Sequence, residues 1–491
     1  MTAIPIRDFL LLAPEIFLAV AGMAMLVAGS YGRDNGGNGH RGCSVCAVAA
    51  LAMTGGLVFW LQGGREVPEV ILSGMFVLDG YAFFWKILLL IAATLTIFLS
   101  ERFVAEGGYR PGEYYALILF ATTGMLLMVS GFNLLSIWIS LELMALSSYI
   151  LAGYFKHQLK STEAALKYFV LGALSSGILL YGVSLLYGAT GTLELAGLSD
   201  ALSLAVAAGD GQVLVALGWL LLAMGLFFKV AVVPFHVWTP DVYVGAPTPI
   251  TSFLAIASKA ASFAVLVRIF YQGLAFLTPD WQWLTAALAT ITMIWGNLAA
   301  LTQKNVKRML AYSSIAHAGY VLIGVLTATE DGQWAVLFYL AAYTFITAGA
   351  FGTVVLLERR AYAGETYEDY AGLARRAPFL AASMMIFLLA LTGIPPTGGF
   401  VGKIYLFAAA VEAGWVWVAV VGVLTSAISL YYYMGLIVQM YLKDAEDTTP
   451  EPLYAPGLLA TVGLCAVITV LLGLLPGPLI ELAKGSLLPL P

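Results

Sequence analysis

Long apolar stretches recur from one end of the chain to the other, and they restrict its possible folds more than any other feature. A stretch of about 18 or more apolar residues is long enough to cross a bilayer as a helix. Charged residues make up 10% of the 491 residues and hydrophobic residues 61%, whereas soluble proteins contain about 25% charged residues. The sequence therefore predicts an all-α polytopic protein of the lipid bilayer, and we expect no nucleic-acid partner.

The apolar stretches predict about fourteen transmembrane spans. Their boundaries, good to a few residues, are 9–29, 43–61, 77–99, 114–130, 133–154, 163–187, 213–238, 249–271, 282–302, 308–327, 333–357, 379–410, 415–441 and 456–475.

Basic residues are concentrated in the loops that follow odd-numbered spans. These residues are Arg33, Arg41, Arg102, Arg110, Lys156, Lys160, Lys304, Lys307, Arg308, Arg359, Arg360, Arg375, Arg376 and Lys443. The opposite side holds only Arg7, Arg65 and Lys484. Since cytoplasmic loops are enriched in lysine and arginine, we expect both termini on the outer side.

An internal repeat is visible at an offset of 171 residues. The segment MALSSYILAG (144–153) aligns with IAHAGYVLIG (315–324). The offset brings the fifth span over the tenth, and successive spans alternate in direction, so the copies are inverted in the membrane. This pattern is typical of transporters. It predicts two five-helix repeats, spans 4–8 and spans 9–13.

The repeats divide the chain into four segments. We expect an N-terminal three-helix segment at 1–110, a first repeat at 111–275, a second repeat at 276–445 and a C-terminal helix at 446–491.

Each predicted repeat contains one interrupted helix. Pro234 lies in VVPFHVWTPD (232–241), and Pro395 and Pro396 lie in TGIPPTGGF (392–400). Proline removes a backbone donor and breaks a helix. Intramembrane breaks of this kind must face protein or water, although a single proline could also produce a simple kink.

Four ionisable residues are predicted to lie near the middle of the bilayer: Glu142, Lys229, Lys259 and Lys403. A lysine at the bilayer centre costs roughly 2.5–3.5 kcal/mol on insertion scales. Glu142 and Lys229 can form a coupled pair in which loss of one charge disfavours the other. Burial favours the neutral form of a lysine, so Lys259 and Lys403 can carry a proton onward. The alternative is a static ion pair, which accounts for Glu142 and only one lysine.

Three further residues are secondary candidates. Lys167 follows Glu163 by four residues, which is also the spacing of a surface ion pair. His236 lies in the first break, where a proton inlet would be, and His317 lies in the second repeat near the level of Glu142. Either histidine could instead be a hydrogen-bonded core residue.

Other polar residues have less specific interpretations. Cys43 and Cys46 have redox or metal spacing without further ligands nearby, so we expect no metal site. We interpret Lys86 and Asp79 as interfacial or subunit-contact residues. Hydroxyl side chains near the lysines could order water or pack helices: Ser147, Ser148, Thr248, Thr251, Ser258, Ser262 and Tyr405.

Three stretches resemble the antiporter-like membrane subunits of respiratory complex I, the NADH:quinone oxidoreductase. They are SLELMALSSYILAGY, FFKVAVVPFHVWTPDVYVGAPTPITSFLAIASKAASFAVLVR and LTGIPPTGGFVGKIYLF. The resemblance covers essentially the whole chain. It implies that Glu142, Lys167, Lys229, Lys259 and Lys403 are the family's proton-transfer residues.

The resemblance also implies a location and partners. It implies proton translocation from the cytoplasm outward across a bacterial inner membrane, beside a neighbouring antiporter-like subunit and the small membrane subunits. This chain would hold no cofactor, and NADH, FMN, iron–sulfur clusters and quinone would bind to other subunits. Two alternatives are a subunit of a multisubunit sodium/proton antiporter and a scaffold whose buried charges only fix helix register.

Overall fold

The structure is a computed structural model that describes residues 5–31, 38–63, 67–107, 110–209, 211–358, 364–445, 451–453 and 455–490. Helices dominate the described residues. Those before the first break are α1 (Ile6–Leu11), α2 (Ala13–Tyr31), α3 (Asn38–Gln62), α4 (Gly80–Gly107), α5 (Pro111–Ser130), α6 (Leu134–Ala152), α7 (Leu159–Thr190), α8 (Leu195–Ala207) and α9 (Gln212–Lys229). A short antiparallel hairpin, β1 (Glu69–Ile71) and β2 (Phe76–Leu78), pairs Glu69 with Leu78.

The remaining helices follow the first break. They are α10 (Trp238–Gly245), α11 (Thr248–Phe253), α12 (Lys259–Arg268), α13 (Thr278–Leu301), α14 (Val306–Leu326), α15 (Glu330–Leu357), α16 (Leu373–Arg376), α17 (Pro378–Thr392), α18 (Gly398–Glu412), α19 (Val416–Leu442), α20 (Pro456–Leu474) and α21 (Gly477–Lys484). Two π-helical segments, Leu254–Ser258 and Ile269–Gly273, make α11 and α12 parts of one helix from Thr248 to Gly273. Short 3₁₀ turns cover Ala275–Leu277 and Glu368–Tyr370.

The predicted fold class is confirmed. Among the described residues, 12 helices are long and apolar enough to cross a membrane, or 13 if the segments Glu368–Arg376 and Pro378–Thr392, bent by 119°, count as one span. A count of fourteen would add two spans to these 12 helices. One is α2, whose apolar part is shorter, and the other is α17 together with α18, counted as one interrupted span. The count of fourteen stays a prediction.

The helix that carries Lys259 lies at the centre of the bundle. Every residue from 248 to 271 is buried, and so are nearly all residues of α14 and α15. Helices at the periphery, such as α3 and α20, bury only about a third of their apolar windows. Their outer faces are therefore available to lipid.

Glycines allow two helix pairs to approach closely. A Cβ on Gly124 of α5 would lie 2.5 Å from the Met144 backbone nitrogen of α6. A Cβ on Gly296 of α13 would lie 2.7 Å from the Ala316 backbone nitrogen of α14. Small residues at helix contacts are a common way to pack helices in lipid, where dispersion drives association.

The order of elements recurs in the two predicted repeats. In each, a closely packed helix pair (α5 with α6, α13 with α14) is followed by a long helix, an interrupted helix and a further span. The inverted relation between the repeats and the four segment boundaries stay predictions. Arg33, Arg65, Arg359 and Arg360 lie outside the described residues, as does the side chain of Arg102.

The interpretation of Lys86 as an interfacial or subunit-contact residue is wrong, whereas that of Asp79 stays a prediction. Lys86 is completely buried, and its Nζ lies 2.5 Å from Glu15 Oε1 and donates to Gln62 Oε1 at 2.8 Å. The carboxylate of Asp79 accepts two bonds from the buried guanidinium of Arg268, at 2.7 and 2.9 Å. Burying a charge is tolerable when a partner is held this closely.

Two further expectations concern side chains near helix ends. Lys307, expected in a loop, is the second residue of α14 and is fully buried. Cys43 and Cys46 are free thiols, and Cys46 is exposed. The described residues contain no group of three metal-capable side chains.

The substitution Glu15→Ala should strongly destabilise the protein. It leaves the ammonium of Lys86 buried without its counter-ion, which typically costs about 3–5 kcal/mol. The exposed pair of Arg110 and Glu113 gives the control, since Arg110→Ala should cost about 0–1 kcal/mol. Thermal unfolding of the purified protein measures both, and equal effects would contradict the prediction.

Candidate functional site

The first break begins immediately after Lys229. The α9 helix ends at Lys229 and α10 starts at Trp238, so the break starts earlier than the predicted 232–241. Backbone groups released there find partners: Val233 N donates to Thr292 Oγ1 at 3.1 Å, and Trp238 Nε1 donates to Phe228 O at 3.1 Å. Pro234 lies inside the break, as predicted.

Lys229 is the last residue of α9 and is 5% exposed. Its Nζ lies 3.4 Å from the Tyr149 hydroxyl and 5.7 Å from the centre of the Tyr149 ring. The C-terminal end of a helix carries a partial negative charge that favours a cation. The broken helix thus supplies part of the electrostatic stabilisation that a carboxylate would otherwise give.

Glu142 lies near Lys229 without contacting it. Its carboxylate accepts a hydrogen bond from the Ser176 hydroxyl, and Ser176 in turn accepts one from Trp138 Nε1 at 3.0 Å. Glu142 interacts electrostatically with both Lys229 and Tyr149. The coupling of Glu142 with Lys229 stays a prediction, and in this structure Tyr149 is the side chain that neighbours both.

Lys259 follows directly on the π-helical segment Leu254–Ser258 and is 3% exposed. Its Nζ donates to the carbonyl oxygen of Ser314 at 2.6 Å and to the Ser314 hydroxyl at 2.5 Å. π-Helical turns are often found at functional sites. Here the irregular turn immediately precedes the residue that carries the buried charge.

Lys403 reaches across the second break. The α17 helix ends at Thr392, and α18 begins at Gly398, with Pro395 and Pro396 between them. Lys403 Nζ donates to Leu391 O at 2.8 Å, to Thr392 O at 3.0 Å and to Ser426 Oγ at 2.7 Å. The ammonium therefore lies at the carbonyl end of α17, as Lys229 lies at the end of α9.

Gly393 makes room for this arrangement. Its φ of 91° is in the left-handed region, and a Cβ there would lie 3.0 Å from the Lys403 Cδ atom. Both the backbone conformation and the close approach of the lysine favour glycine.

The ion pairs found among the described residues do not include these lysines. Lys229, Lys259 and Lys403 are held by hydroxyl groups, carbonyl oxygens and aromatic rings. Each is nearly completely buried. These positions exclude a lipid-facing or surface role.

Tyrosines connect the first two lysines. The rings of Tyr149 and Tyr168 meet edge-on at 4.7 Å, and the Tyr168 hydroxyl lies beside Ser258, the residue before Lys259. The Tyr243 hydroxyl lies beside Ser314, which accepts from Lys259. Sequence reasoning missed these three tyrosines, whose only signal was a polar tip within an apolar span.

His317 lies between Lys259 and Lys403 and interacts electrostatically with both. Its Nδ1 is hydrogen-bonded to the Tyr339 hydroxyl, and its Nε2 lies 3.4 Å from the Tyr433 hydroxyl. Its ring also lies edge-on to Tyr320, over which Lys403 Nζ sits at 4.4 Å. Tyr405, expected near the lysines, packs against Trp334.

Lys167 and His236 lie outside the row formed by the three buried lysines, Lys229, Lys259 and Lys403. Lys167 is 40% exposed, with its Nζ 2.8 Å from Glu163 Oε1 and 2.7 Å from Asp241 Oδ2. His236 is half-buried and accepts a hydrogen bond from Trp295 Nε1 at 3.0 Å. The contacts of these two side chains do not reach the lysine row, and their predicted roles stay predictions.

The fold and site define a class of protein: a polytopic helical membrane protein with lysines buried at interrupted helices. The family model "NADH:quinone oxidoreductase/Mrp antiporter, TM" matches residues 131–429. The chain belongs to this family. The match includes Glu142 and the lysines at positions 229, 259 and 403.

Individual relatives extend the similarity over nearly the whole chain. "NADH-quinone oxidoreductase subunit N" of Trichlorobacter lovleyi is 42% identical over 476 residues, covering 96% of each chain. A chain of respiratory complex I from Thermus thermophilus is 36% identical, with a TM-score of 0.80, covering 96% of this chain and 100% of the other. A chain of the Mrp complex from Dietzia is 24% identical, with a TM-score of 0.82, covering 99% and 97%. That last likeness shows the fold alone.

The substitution Gly393→Ala should lower the stability of the protein by more than the cost of placing an alanine in a left-handed backbone conformation. A left-handed conformation costs an alanine about 1–2 kcal/mol, and the crowding of Lys403 should add about 1 kcal/mol or more. Gly414 has a similar φ of 84° but open space around it, so Gly414→Ala is the control. Thermal unfolding would show the difference, and equal losses would contradict the contact.

Proposed function

We propose that this chain is a proton-translocating subunit of an NADH:quinone oxidoreductase, without a redox centre of its own. The observation that carries the proposal is the set of buried lysines held by neutral groups and joined by tyrosines, serines and a histidine. A lysine in an apolar core is costly. Its neutral partners allow it to lose and regain a proton more readily than a tight ion pair would.

The contacts support an order of the charged residues along the bundle. Glu142 and Lys229 form the first pair, Lys259 is central and Lys403 is terminal. Tyr168, Ser314 and His317 lie beside the gaps between them. Since the ammonium groups do not contact one another, transfer between them requires hydroxyl groups or ordered water.

We infer the surroundings of the subunit from its relatives and its charge distribution. The chain would lie in a bacterial inner membrane with both termini on the periplasmic side, and protons would move from the cytoplasm outward. Its partners would be a neighbouring antiporter-like subunit and the small membrane subunits. NADH, FMN, iron–sulfur clusters and quinone would bind elsewhere in the complex.

The substitution Lys229→Ala should lower NADH-driven proton pumping by about half or more, because a neutral methyl group cannot replace a proton carrier. Dye-detected acidification of inverted vesicles, normalised to assembled complex, measures this. Lys156 is exposed, and Lys156→Ala should have no effect. If Lys229→Ala leaves both pumping and quinone reduction unchanged, the assigned role is wrong.

The substitution His317→Phe should reduce the proton yield per NADH while leaving the complex assembled. A phenylalanine preserves the aromatic packing but removes both ring nitrogens that face Tyr339 and Tyr433. A static core histidine predicts an unchanged yield in complexes that assemble. The ratio of pumped protons to oxidised NADH distinguishes the two roles.

The sodium/proton antiporter remains the second candidate, and it would use the same lysines. Sodium-dependent proton uptake by vesicles that contain the chain, in the absence of NADH, would favour it. A purely structural scaffold predicts that neutral replacements of Lys259 and Lys403 preserve turnover. Pumping one charge against 100 mV requires about 2.3 kcal/mol. A scaffold moves no charge and has no such energy requirement.

A further inference from the structure

A buried ion pair holds the far end of the helix segment that carries Lys259. Arg268 donates to both carboxylate oxygens of Asp79, at 2.7 and 2.9 Å, and to Val129 O at 3.2 Å. The side chain of Arg268 is 1% exposed and that of Asp79 is 10% exposed. Two parallel bonds between a guanidinium and a carboxylate fix the orientation of the partners as well as their distance. The Asp79–Arg268 pair therefore restrains the rotation of α12.

Asp79 is anchored by a second role, the capping of α4. It precedes Gly80, the first residue of α4, and its Oδ1 atom accepts a hydrogen bond from Ala82 N at 2.7 Å. This is the usual bond of an N-terminal cap, and a carboxylate is favoured at the positive end of a helix. The same carboxylate thus begins α4 and holds α12.

A second contact joins the same two helices. The Tyr81 hydroxyl donates to Ala264 O at 2.9 Å. The Arg268 guanidinium also lies over the Tyr81 ring, with its Cζ atom 5.1 Å from the ring centre. Tyr81 and Ala264 are completely buried. Since Ala264 and Arg268 are about one turn apart, α4 holds α12 at two successive turns.

The segment that α4 holds has Lys259 at one end and Arg268 at the other, because α12 runs from Lys259 to Arg268. The steps between these two residues make about two and a half turns and about 13 Å, so their side chains leave the helix on opposite sides. Arg268 faces Asp79 of α4, whereas Lys259 faces Ser314 of α14. The segment is therefore held between two neighbouring helices, and its rotation determines what the Lys259 ammonium contacts.

π-Helical turns adjoin α12 on both sides, at Leu254–Ser258 and Ile269–Gly273. A π-helical turn contains about one residue more than an α-helical turn. If one of these turns changed to α-helical geometry, the neighbouring segment would rotate by about 100° and shift by about 1.5 Å along its axis. Such a rotation would turn Lys259 away from Ser314, and the contacts with α4 oppose it.

We propose that Asp79 and Arg268 are positioning residues for proton transfer. Their ion pair sets the rotation and depth of α12 and thereby keeps the Lys259 ammonium against Ser314. This role rests on the proposed function, in which Lys259 carries the proton. Asp79 and Arg268 act through the helix and do not themselves bind the transferred proton.

The first test measures the proton yield per oxidised NADH in inverted vesicles that contain the assembled complex. Asp79→Asn removes the charge and one of the two oxygens that hold Arg268. It should lower the yield by about twofold or more, because a displaced reacting group transfers much more slowly. Tyr81→Phe removes only the bond to Ala264 and should lower the yield by a smaller factor. If Asp79→Asn prevents assembly, the yield of Tyr81→Phe decides the question.

The matched control is Glu15→Gln, because it breaks a different buried ion pair of the same helix. Lys86 of α4 contacts Glu15 of α2 at 2.5 Å and Gln62 of α3 at 2.8 Å. Glu15→Gln should reduce the amount of assembled complex and leave the yield of each assembled complex unchanged. An equal loss of yield in Glu15→Gln and Asp79→Asn would overturn the positioning role.

A double variant tests whether the ion pair acts through Lys259. Ser314→Ala removes the hydroxyl that accepts from Lys259 and should lower the yield by itself. Changes at separated sites usually act independently, so their fold-losses multiply. If Asp79 acts by holding Lys259 against Ser314, Asp79→Asn together with Ser314→Ala should lose less than the product of the two single losses. Losses that multiply would contradict the positioning role.

The outcomes distinguish the positioning role from the proposed function. If Lys229→Ala lowers the yield while Asp79→Asn and Tyr81→Phe leave it unchanged in assembled complexes, the positioning role is wrong and the proposed function survives. If Lys229→Ala also has no effect, the proposed function fails, and the positioning role fails with it.

Discussion

The contact between a buried ammonium group and neutral oxygen atoms is the interaction on which the rest of the structure depends. Lys259 is held by a serine, and Lys403 by two carbonyls and a serine. The same molecule also contains tight buried ion pairs, Lys86 with Glu15 and Arg268 with Asp79. A carboxylate at 2.5–2.7 Å fixes a charge, whereas hydroxyls and carbonyls stabilise it less. The two kinds of site therefore differ in how tightly they hold the buried charge, and the proposed function rests on this difference.

The second interrupted helix provides the two carbonyls that hold Lys403. The last turn of a helix leaves carbonyl groups without partners inside the helix. The carbonyl that holds Lys259 belongs instead to Ser314, inside the continuous helix α14. Lys229 ends its own helix, while Lys403 comes from the far half of a broken helix and reaches the end of the near half. The two breaks thus bring a lysine to a helix end in different ways. At Lys259 the helix is not broken, and a π-helical segment precedes the lysine instead.

The fold class, both breaks and the lysines could be predicted from the sequence, because long apolar runs, prolines and intramembrane charges are local signals. The partners of the buried charged residues could not be predicted from the sequence. Asp79 and Arg268 are 189 residues apart, and helix packing alone brings them together. The sequence places Lys86 at an interface or a subunit contact and Lys307 in a loop, because it does not show that Glu15 and Glu365 reach them from distant segments. Tyr149, Tyr168 and Tyr243 were missed because a span that is apolar all around does not indicate which way a tyrosine points.

The proposed function gives a reason for a lysine to lie at each of the two breaks, as Lys229 and Lys403 do. A charge that changes its protonation state needs surroundings that can stabilise it by different amounts at different times. A tight ion pair offers one strongly preferred state. The end of α17 offers the carbonyls of Leu391 and Thr392, whose distance from the Lys403 ammonium can change without unfolding a turn. We propose that movement of α18 relative to α17 alters the stabilisation of Lys403, and thereby couples a mechanical displacement to the binding of a proton.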